Sequence, residues 1–348
     1  MVHRRSIVVF ALAVLAAGCG GGGGGAVAPP PSAGQSAVRH VESARLGTYT
    51  LDRSKTMVAG ISAGGYMATQ LQVAYSKTFH GAAIFAGGPY YCAQDNVYIA
   101  LNDCTKNYYS TNVPLLEHDT DNTAYYGYID PTSYLSGQKA WLFSGTSDTT
   151  VYQSVVRDLQ TYLKHYGVSV TANFTTAAGH GWITPDTTAA CGGTASPFLN
   201  NCGFDAEQTF LTTLYGTLAA RNGGTLHGSL QAFDQNEFLP GGSAAAYSMD
   251  ANGYVFVPSP CASGSTCKVL VALHGCAQGY QQVGNAFVTN SGLNEWADTN
   301  NIIVLYPQAI ETGYNPNGCW DWYGYNSTDY AAKSGPQMAA IYAMVQRL

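Results

Sequence analysis

The sequence predicts an α/β fold in which a mostly parallel central sheet, flanked by helices, forms a single domain. Three observations carry this prediction. Apolar runs such as residues 268–273 recur along the chain, as is typical of strands buried on both faces of a parallel sheet. Residues 56–61 lead into a Gly-x-Ser-x-Gly pattern around Ser62. Asp148 and His180 follow two later strand-like runs, and the order Ser, Asp, His is that of an α/β-hydrolase.

The N-terminal segment predicts an export signal followed by a tether. A basic start precedes apolar residues 7–17, which are too few to span a membrane comfortably, and the segment ends at Cys19. This resembles a bacterial lipoprotein signal with Cys19 as the acylated residue. The large aliphatic residue lies one position further upstream than usual, so ordinary cleavage and secretion stays open. We expect a signal peptide at 1–19, a flexible Gly/Pro linker at 20–40 and a catalytic domain at 41–348.

The composition excludes one class of partner. Only 10% of the 348 residues are charged, and the net charge is −6. Such a chain has no basic surface with which to replace the counterions of nucleic-acid phosphates. Few charges together with 25 tyrosines suit a secreted hydrolase. We expect membrane attachment only through a lipid on Cys19, and the oligomeric state stays open.

The glycine-flanked Ser62 is the candidate nucleophile. Gly60 and Gly64 allow a sharp strand-to-helix turn that exposes the hydroxyl, residues 56–61 form the strand before it, and residues 66–74 can continue as a helix. In a chain with 40 glycines the pattern could also arise by chance in a glycine-rich loop. The flanking strand and helix favour the nucleophile. Its position near the start of the chain is unusual, because several strands precede this serine in a standard α/β-hydrolase.

A strand and a tyrosine-rich segment come next. Residues 79–87 are small and apolar, which suits a strand buried on both faces. Residues 89–136 have no sustained periodicity and contain nine tyrosines and two cysteines. We interpret them as an insertion over the strand ends. It is either an aromatic wall for a substrate or a surface loop held by a disulfide.

Asp148 is the candidate acid of the site. It follows the strand predicted at residues 138–145, and this fold places the acid that orients its histidine just past a strand end. Asp119 and Asp130 compete with it, but both lie in the tyrosine-rich insertion with no strand before them. A helix is predicted at residues 151–166 from its apolar spacing.

His180 is the candidate base. It lies between two glycines after the strand predicted at residues 168–174. A single histidine is more often a surface or core residue, but the order with Ser62 and Asp148 favours catalysis. A serine hydroxyl is too weakly acidic to attack an ester unaided. His180 would accept its proton and return it to the leaving alcohol, while Asp148 would fix the tautomer.

The strands expected before the nucleophile occur at the far end of the chain. Residues 228–235 and 253–258 predict an antiparallel pair. The elements that follow are a buried strand ending in His-Gly, a helix, another strand and a closing amphipathic helix, at residues 268–276, 293–300, 302–307 and 336–348. In standard order that closing helix would lead directly into the nucleophile strand. The sequence therefore predicts one circularly permuted sheet.

The cysteine count fits an oxidising compartment. With Cys19 set aside, eight cysteines remain. Three pairs are close in sequence and two cysteines are left for a long-range pair, although sequence does not fix connectivity. The expected pairs are Cys92 with Cys104, Cys191 with Cys202, Cys261 with Cys267, and Cys276 with Cys319. A zinc site is the competing interpretation, but the chain has no Cys-x-x-Cys and no His-Glu-x-x-His.

Four motifs together resemble one known family. They lie at residues 60–65, 200–205, 273–276 and 318–323 and read GISAGG, NNCGFD, LHGC and GCWDWY. In this order they resemble the poly(3-hydroxybutyrate) depolymerases whose catalytic domain is circularly permuted, over roughly residues 45–348. The resemblance implies a serine esterase that cleaves this polyester or its oligomers through an acyl-enzyme. It implies no cofactor and no metal.

The resemblance also implies roles for particular residues. Ser62, Asp148 and His180 match the catalytic triad, and the backbone N–H groups of Ala63 and Cys276 match the oxyanion hole. A disulfide from Cys276 would hold the oxyanion loop and bring the tryptophan-containing motif beside the cleft. Within that motif, Trp320 and Trp322 are either substrate-binding walls or core aromatics. His274 is expected to be structural.

Secreted relatives in this family commonly carry a separate substrate-binding module after the catalytic part, and no such module follows the closing helix in this sequence. We therefore expect amorphous polymer or soluble oligoester as the substrate. Two alternatives stay open. One is another secreted carboxylesterase, such as a feruloyl or acetyl esterase or a hydrolase of synthetic polyesters. The other is a surface lipoprotein that binds a ligand without catalysis.

Overall fold

The apolar runs form one eight-stranded sheet in the computed structural model, which describes residues 44–348. The predicted signal peptide, the linker and Cys19 lie outside the described residues. The strands of this sheet are β1 (Leu51–Ile61), β2 (Gly81–Phe85), β3 (Lys139–Phe143), β4 (Ser169–Asn173), β7 (Ser229–Asp234), β8 (Asn252–Val257), β9 (Cys267–Leu273) and β10 (Ile302–Tyr306). A separate two-stranded sheet consists of β5 (Trp182–Ile183) and β6 (Leu199–Asn200).

The strand order is β4-β3-β2-β1-β9-β10-β8-β7, and it confirms the mostly parallel sheet. Neighbours from β4 through β10 are all parallel, whereas β8 and β7 are added as antiparallel strands. Parallel strands need crossover connections, and helices supply most of them here. The candidate site residues follow the carboxyl ends of these strands, which meet at one edge of the sheet.

The sheet order explains why so little sequence precedes Ser62. β1 lies in the middle of the sheet, with Val58 opposite Ala82 of β2 on one side and opposite Val271 of β9 on the other. β9 comes from the far end of the chain. The carbonyl of Leu348 accepts a hydrogen bond of 2.5 Å from the N–H of Tyr49, just before β1. The described chain therefore ends next to the start of the nucleophile strand, as a circular permutation requires.

Helices cover both faces of the sheet. They are α1 (Ala63–Ala74), α2 (Val97–Asn102), α3 (Val113–Tyr125), α4 (Gln153–His165), α5 (Ala206–Tyr215), α6 (Ser259–Ala262), α7 (Tyr280–Val283), α8 (Ala286–Asn290), α9 (Leu293–Asn300) and α10 (Pro336–Arg347). Alternate residues of β1 serve the two faces. Val58 joins the core formed with α1, α4 and α10, whereas Met57 and Ala59 join the core formed with α5 and α9. None of the helices in residues 44–348 has the length and apolar character needed to cross a membrane.

The differences from the sequence prediction include the start of β1 and the tyrosine-rich insertion. β1 begins at Leu51, five residues before the predicted start, because its polar and largely unburied first half still pairs with β9 at Cys267. The tyrosine-rich insertion contains helices α2 and α3. Their apolar pattern is weak because α2 has only six residues and α3 buries only Val113, Leu116 and Thr120.

Candidate active site

Ser62 lies in a strained turn between β1 and α1. Its φ is +55°, which is uncommon for a residue other than glycine, and its N–H donates to the carbonyl of Phe85 at 2.9 Å. The turn requires glycine at position 60, because a Cβ there would lie 2.1 Å from the carbonyl oxygen of Gly64. Ser62 precedes the first helical residue, yet its side chain does not cap the helix. The hydroxyl is therefore not engaged by the helix it precedes.

Asp148 and His180 are in direct contact. His180 Nδ1 lies 2.8 Å from Asp148 Oδ2, and the two side chains are only 8% and 1% exposed. The other carboxylate oxygen accepts the backbone N–H groups of Thr150 and Val151 at 2.8 and 2.9 Å. Because an ionised carboxylate can only accept, the proton lies on Nδ1 and Nε2 carries the free lone pair. The competing Asp130 instead pairs with Lys333 at 2.5 Å.

Residues that sequence reasoning missed hold the histidine loop. The N–H of His180 donates to Thr194 Oγ1 at 2.9 Å. The buried Asn200 donates through Nδ2 to the carbonyls of Cys191 and Gly193 at 3.1 and 2.8 Å. The segment that carries Thr194 is thus fixed next to His180. The only sequence signal was that Asn200 belongs to one of the four motifs.

One cleft of about 460 Å³ brings the predicted residues together. Ser62, Ala63, His180 and Cys276 all line it. Its apolar and aromatic lining side chains include Ile61, Tyr66, Val97, Leu101, Val151, Phe198, Pro316, Trp322 and Tyr323. A concave, mostly apolar space with a few convergent polar groups is typical of a small-ligand site.

The two candidate oxyanion donors come from two different segments that line the cleft with Ser62. Ala63 is the first residue of α1, so its N–H has no acceptor within the helix. Cys276 follows β9 and is tied by a disulfide to Cys319. The two segments touch at Gly64, where a Cβ would lie 2.3 Å from the carbonyl oxygen of Leu273. The start of a helix also favours negative charge at this point.

The two tryptophans of the fourth motif occupy different places. Trp322 lines the cleft and stacks on Tyr66, with ring centroids 4.1 Å apart. Trp320 is fully buried, and its indole N–H donates to the carbonyl of His274 at 3.0 Å. The prediction that Trp320 is a substrate-binding wall is therefore wrong. The alternative of a core aromatic describes it.

The tyrosines of the insertion do not form the cleft wall. Val97 and Leu101 of α2 line the cleft instead. Seven of the nine tyrosines are at least half exposed, namely Tyr98, Tyr108, Tyr109, Tyr125, Tyr126, Tyr128 and Tyr134. The disulfide within the insertion, Cys92–Cys104, lies in the core beneath them. The aromatic side chains of the cleft come from other segments.

The cysteines of the described chain form four disulfides. They join Cys92 with Cys104, Cys191 with Cys202, Cys261 with Cys267, and Cys276 with Cys319. These are the pairs expected from the sequence. Across residues 44–348, no group of three or more His, Cys, Asp or Glu side chains is arranged to hold a metal ion.

Comparison with known proteins identifies relatives over most of the chain. The chain is 42% identical over 304 residues to a poly(3-hydroxybutyrate) depolymerase of Delftia acidovorans, covering 86% of this chain but 60% of that protein. It is 39% identical over 328 residues to a polyhydroxybutyrate depolymerase of Talaromyces funiculosus, covering 88% of this chain and 93% of that one. A family model described as the prolyl oligopeptidase family matches residues 38–202.

Solved structures also match the chain over most of its length. The crystal structure of a PHB depolymerase from Penicillium funiculosum superposes with a TM-score of 0.78 at 36% identity, covering 87% of this chain and 98% of that one. A PHB depolymerase variant complexed with an R3HB trimer matches with the same values.

Proposed function

The chain belongs to the poly(3-hydroxybutyrate) depolymerase family, and from this premise we propose that it is a serine esterase acting on poly(3-hydroxybutyrate) or its oligomers. The observation that carries the proposal is the shared cleft. Ser62 and His180 both line it, and Asp148 holds His180 at 2.8 Å. The proposed nucleophile and base thus meet at one mostly apolar space, with Asp148 bound to the histidine.

In the proposed mechanism, His180 Nε2 takes the proton of the Ser62 hydroxyl as the oxygen attacks the ester carbonyl carbon. Asp148 keeps the second ring nitrogen protonated and stabilises the imidazolium. The tetrahedral intermediate then collapses, the ester C–O bond breaks, and His180 returns the proton to the leaving hydroxyl. Water attacks the acyl-enzyme by the same route and releases the acid.

The developing negative charge needs donors that are already oriented. The proposal assigns this role to the backbone N–H groups of Ala63 and Cys276. Both residues line the cleft beside Ser62. Removing one donor from an oxyanion hole typically costs about 10²–10³ in rate, so small shifts of these peptides matter.

The walls suit a polyester with short apolar branches. Along such a chain the ester groups accept hydrogen bonds but donate none, so a mostly apolar cleft costs the substrate little desolvation. Trp322 and Tyr66 form a stacked aromatic wall, and Val97 and Leu101 face the cleft from the insertion. The chain spans 60% of the Delftia acidovorans relative, so the substrate range of that whole protein is not carried over.

Export is part of the proposal. Four disulfides are typical of a protein that folds in an oxidising compartment. We further propose that residues 1–19 direct export and that Cys19 carries a lipid that holds the 41–348 catalytic domain at the cell envelope. Loss of the protein from the membrane fraction in a Cys19→Ala variant would support the anchor. Unchanged fractionation would contradict it.

The test of the activity compares two substrates in three proteins. We expect wild type to clear a poly(3-hydroxybutyrate) emulsion and to hydrolyse a short p-nitrophenyl ester, and Ser62→Ala to lose both by at least about 10³-fold. Ser243→Ala, at an exposed serine, is the control and should match wild type. Equal rates in wild type and Ser62→Ala would contradict the nucleophile. Release of ferulate or acetate without clearing would favour a different carboxylesterase.

A further inference from the structure

The peptide unit between His274 and Gly275 is held on both sides by buried side chains. Its carbonyl oxygen accepts the indole N–H of Trp320 at 3.0 Å. Its N–H donates to Gln278 Oε1 at 2.8 Å. Gln278 in turn donates to the carbonyls of Pro197 and Phe198 at 3.0 and 3.1 Å, so it connects this loop to the segment that follows His180.

The next peptide unit is held on one side only. The carbonyl of Gly275 accepts a hydrogen bond of 2.7 Å from His274 Nδ1. In a trans peptide the C=O and the following N–H point in opposite directions. The hydrogen bond to His274 therefore fixes the direction of the Cys276 N–H, which belongs to the same peptide unit. Cys276 and Gly275 both line the cleft with Ser62.

The environment of His274 fixes its tautomer. Its Nε2 accepts the N–H of Ala309 at 3.0 Å, so the ring proton must lie on Nδ1. The ring is fully buried, and burial lowers the pKa of His274 from 6.5 to about 4. At neutral pH the imidazole is uncharged, with a donor toward Gly275 and an acceptor toward Ala309. The residue is poised as a hydrogen-bond relay and not as a proton carrier.

We propose that His274 is a positioning residue that orients and polarises the Cys276 N–H for the oxyanion formed at Ser62. The inference rests on the proposed esterase function. A carbonyl that accepts a hydrogen bond makes the N–H of its own amide a better donor, because linked hydrogen bonds polarise one another. The histidine thus acts through the peptide backbone, without touching the substrate.

Two substitutions separate this role from simple packing. In His274→Asn, the side-chain amide nitrogen takes the place of Nδ1 and can still donate to Gly275, while the acceptor for Ala309 is lost. In His274→Gln, the amide reaches the position of Nε2 and can still accept from Ala309, while the donor to Gly275 is lost. Each variant keeps one of the two hydrogen bonds.

We expect kcat on a short p-nitrophenyl ester to fall by about 10- to 100-fold in His274→Gln, with KM changed by less than about twofold. His274→Asn should stay within about threefold of wild type. His80→Gln and His80→Asn are the matched controls, because His80 precedes β2 at the opposite end of the sheet, and they should keep the wild-type kcat. Equal losses of kcat in the two His274 variants, in proportion to their losses of thermal stability, would show that His274 only holds the loop in place. That result would overturn the proposal.

A second measurement uses wild type alone. When a boronic acid forms a tetrahedral adduct on Ser62, the Cys276 N–H should donate to it, and the Nδ1 proton of His274 should move downfield in NMR spectra of histidine-labelled protein. No movement in a protein with the adduct formed would overturn the proposal. If wild type shows no Ser62-dependent hydrolysis and forms no adduct, the proposed function itself fails, which is a separate outcome.

Discussion

At Gly64 two backbones approach too closely for any side chain between them. A Cβ at this position would lie 2.3 Å from the carbonyl oxygen of Leu273 and 2.4 Å from that of His274. Neither oxygen can move freely, because Leu273 ends a central strand and the His274 carbonyl accepts the Trp320 indole. The glycine therefore sets the distance between the serine turn and the oxyanion loop.

We expect Gly64→Ala to lower the free energy of unfolding by about 1–3 kcal/mol, because the added methyl group overpacks this contact. It should also lower kcat at least tenfold by moving the oxyanion loop away from Ser62. Urea unfolding and hydrolysis of a short ester measure the two effects. Gly223→Ala is the control, since a Cβ there meets nothing within 4 Å. Wild-type activity in Gly64→Ala would show that the contact does not set the site geometry.

Short-range sequence signals, such as neighbouring glycines and strand ends, decided which site residues could be predicted from the sequence. Ser62 and His180 lie among glycines after strands, and Asp148 follows a strand end, so each carries a signal within a few residues. Gln278 and Thr194 carry no such signal, because a polar residue in a loop reveals its role only when the partner loop is placed. Trp320 and Trp322 are chemically alike and only two residues apart. Both are buried, and they differ in that Trp320 donates to the His274 carbonyl whereas Trp322 lines the cleft.

Among the elements, the loop after β9 that carries the proposed oxyanion donor Cys276 is tied by a long-range disulfide. Cys276–Cys319 closes a loop with a sequence separation of 43, whereas Cys261–Cys267 closes one of 6. On the chain-entropy argument these loops correspond to about 4 and about 2 kcal/mol. The two bridges also differ in place. Cys276 follows the end of β9 that reaches the cleft, and Cys267 is the first residue of that strand, about 20 Å away.

We expect replacement of Cys276 and Cys319 together by serine to lower both stability and kcat, because the loop that carries the proposed oxyanion donor is no longer held. Replacement of Cys261 and Cys267 together should lower stability by about 2 kcal/mol and leave kcat unchanged. Denaturant unfolding and ester hydrolysis of both double variants test this contrast. If the two variants lose activity in equal measure, the disulfide near the cleft has no special role there.

Helical spacing of apolar residues predicted one helix between strands well. The helix expected at 151–166 is α4 (Gln153–His165), whose buried residues recur with helical spacing. The insertion helices were missed because α2 and α3 bury too few residues to show a period. The start of α2 is instead set by a local hydrogen-bonding residue. Asn96 accepts the N–H groups of Tyr98 and Ile99 and starts α2 as its N-cap.

At the scale of the whole molecule, the position of a strand in the sheet does not follow from its position along the chain. If the strands are renumbered so that β7 to β10 become 1 to 4 and β1 to β4 become 5 to 8, their order across the sheet is 1-2-4-3-5-6-7-8. The connection between α5 and β7 contains Gly223 and Gly224, at an exposed turn where added Cβ atoms would meet at most one side chain. Such turns tolerate new chain ends. The sequence predicted this permutation because the missing strands were recognisable at the other end of the chain.

We expect a rearranged chain that starts at Gly224, runs to Leu348, continues through a Gly/Ser linker to Ala44 and ends at Gly223 to fold and hydrolyse esters. The linker can be short, because Leu348 contacts Tyr49 and Ala44 lies within about 18 Å of Tyr49 along the chain. Its near-UV circular dichroism spectrum should match that of the original chain. Its kcat should lie within about threefold of that of the original chain, since no residue of the cleft changes place. A chain opened instead between Gly275 and Cys276 is the control and should be inactive, because that cut removes the peptide whose N–H is the proposed oxyanion donor. An inactive but folded Gly224 chain would mean that the order of the elements, and not only their arrangement in the sheet, is needed to build the site.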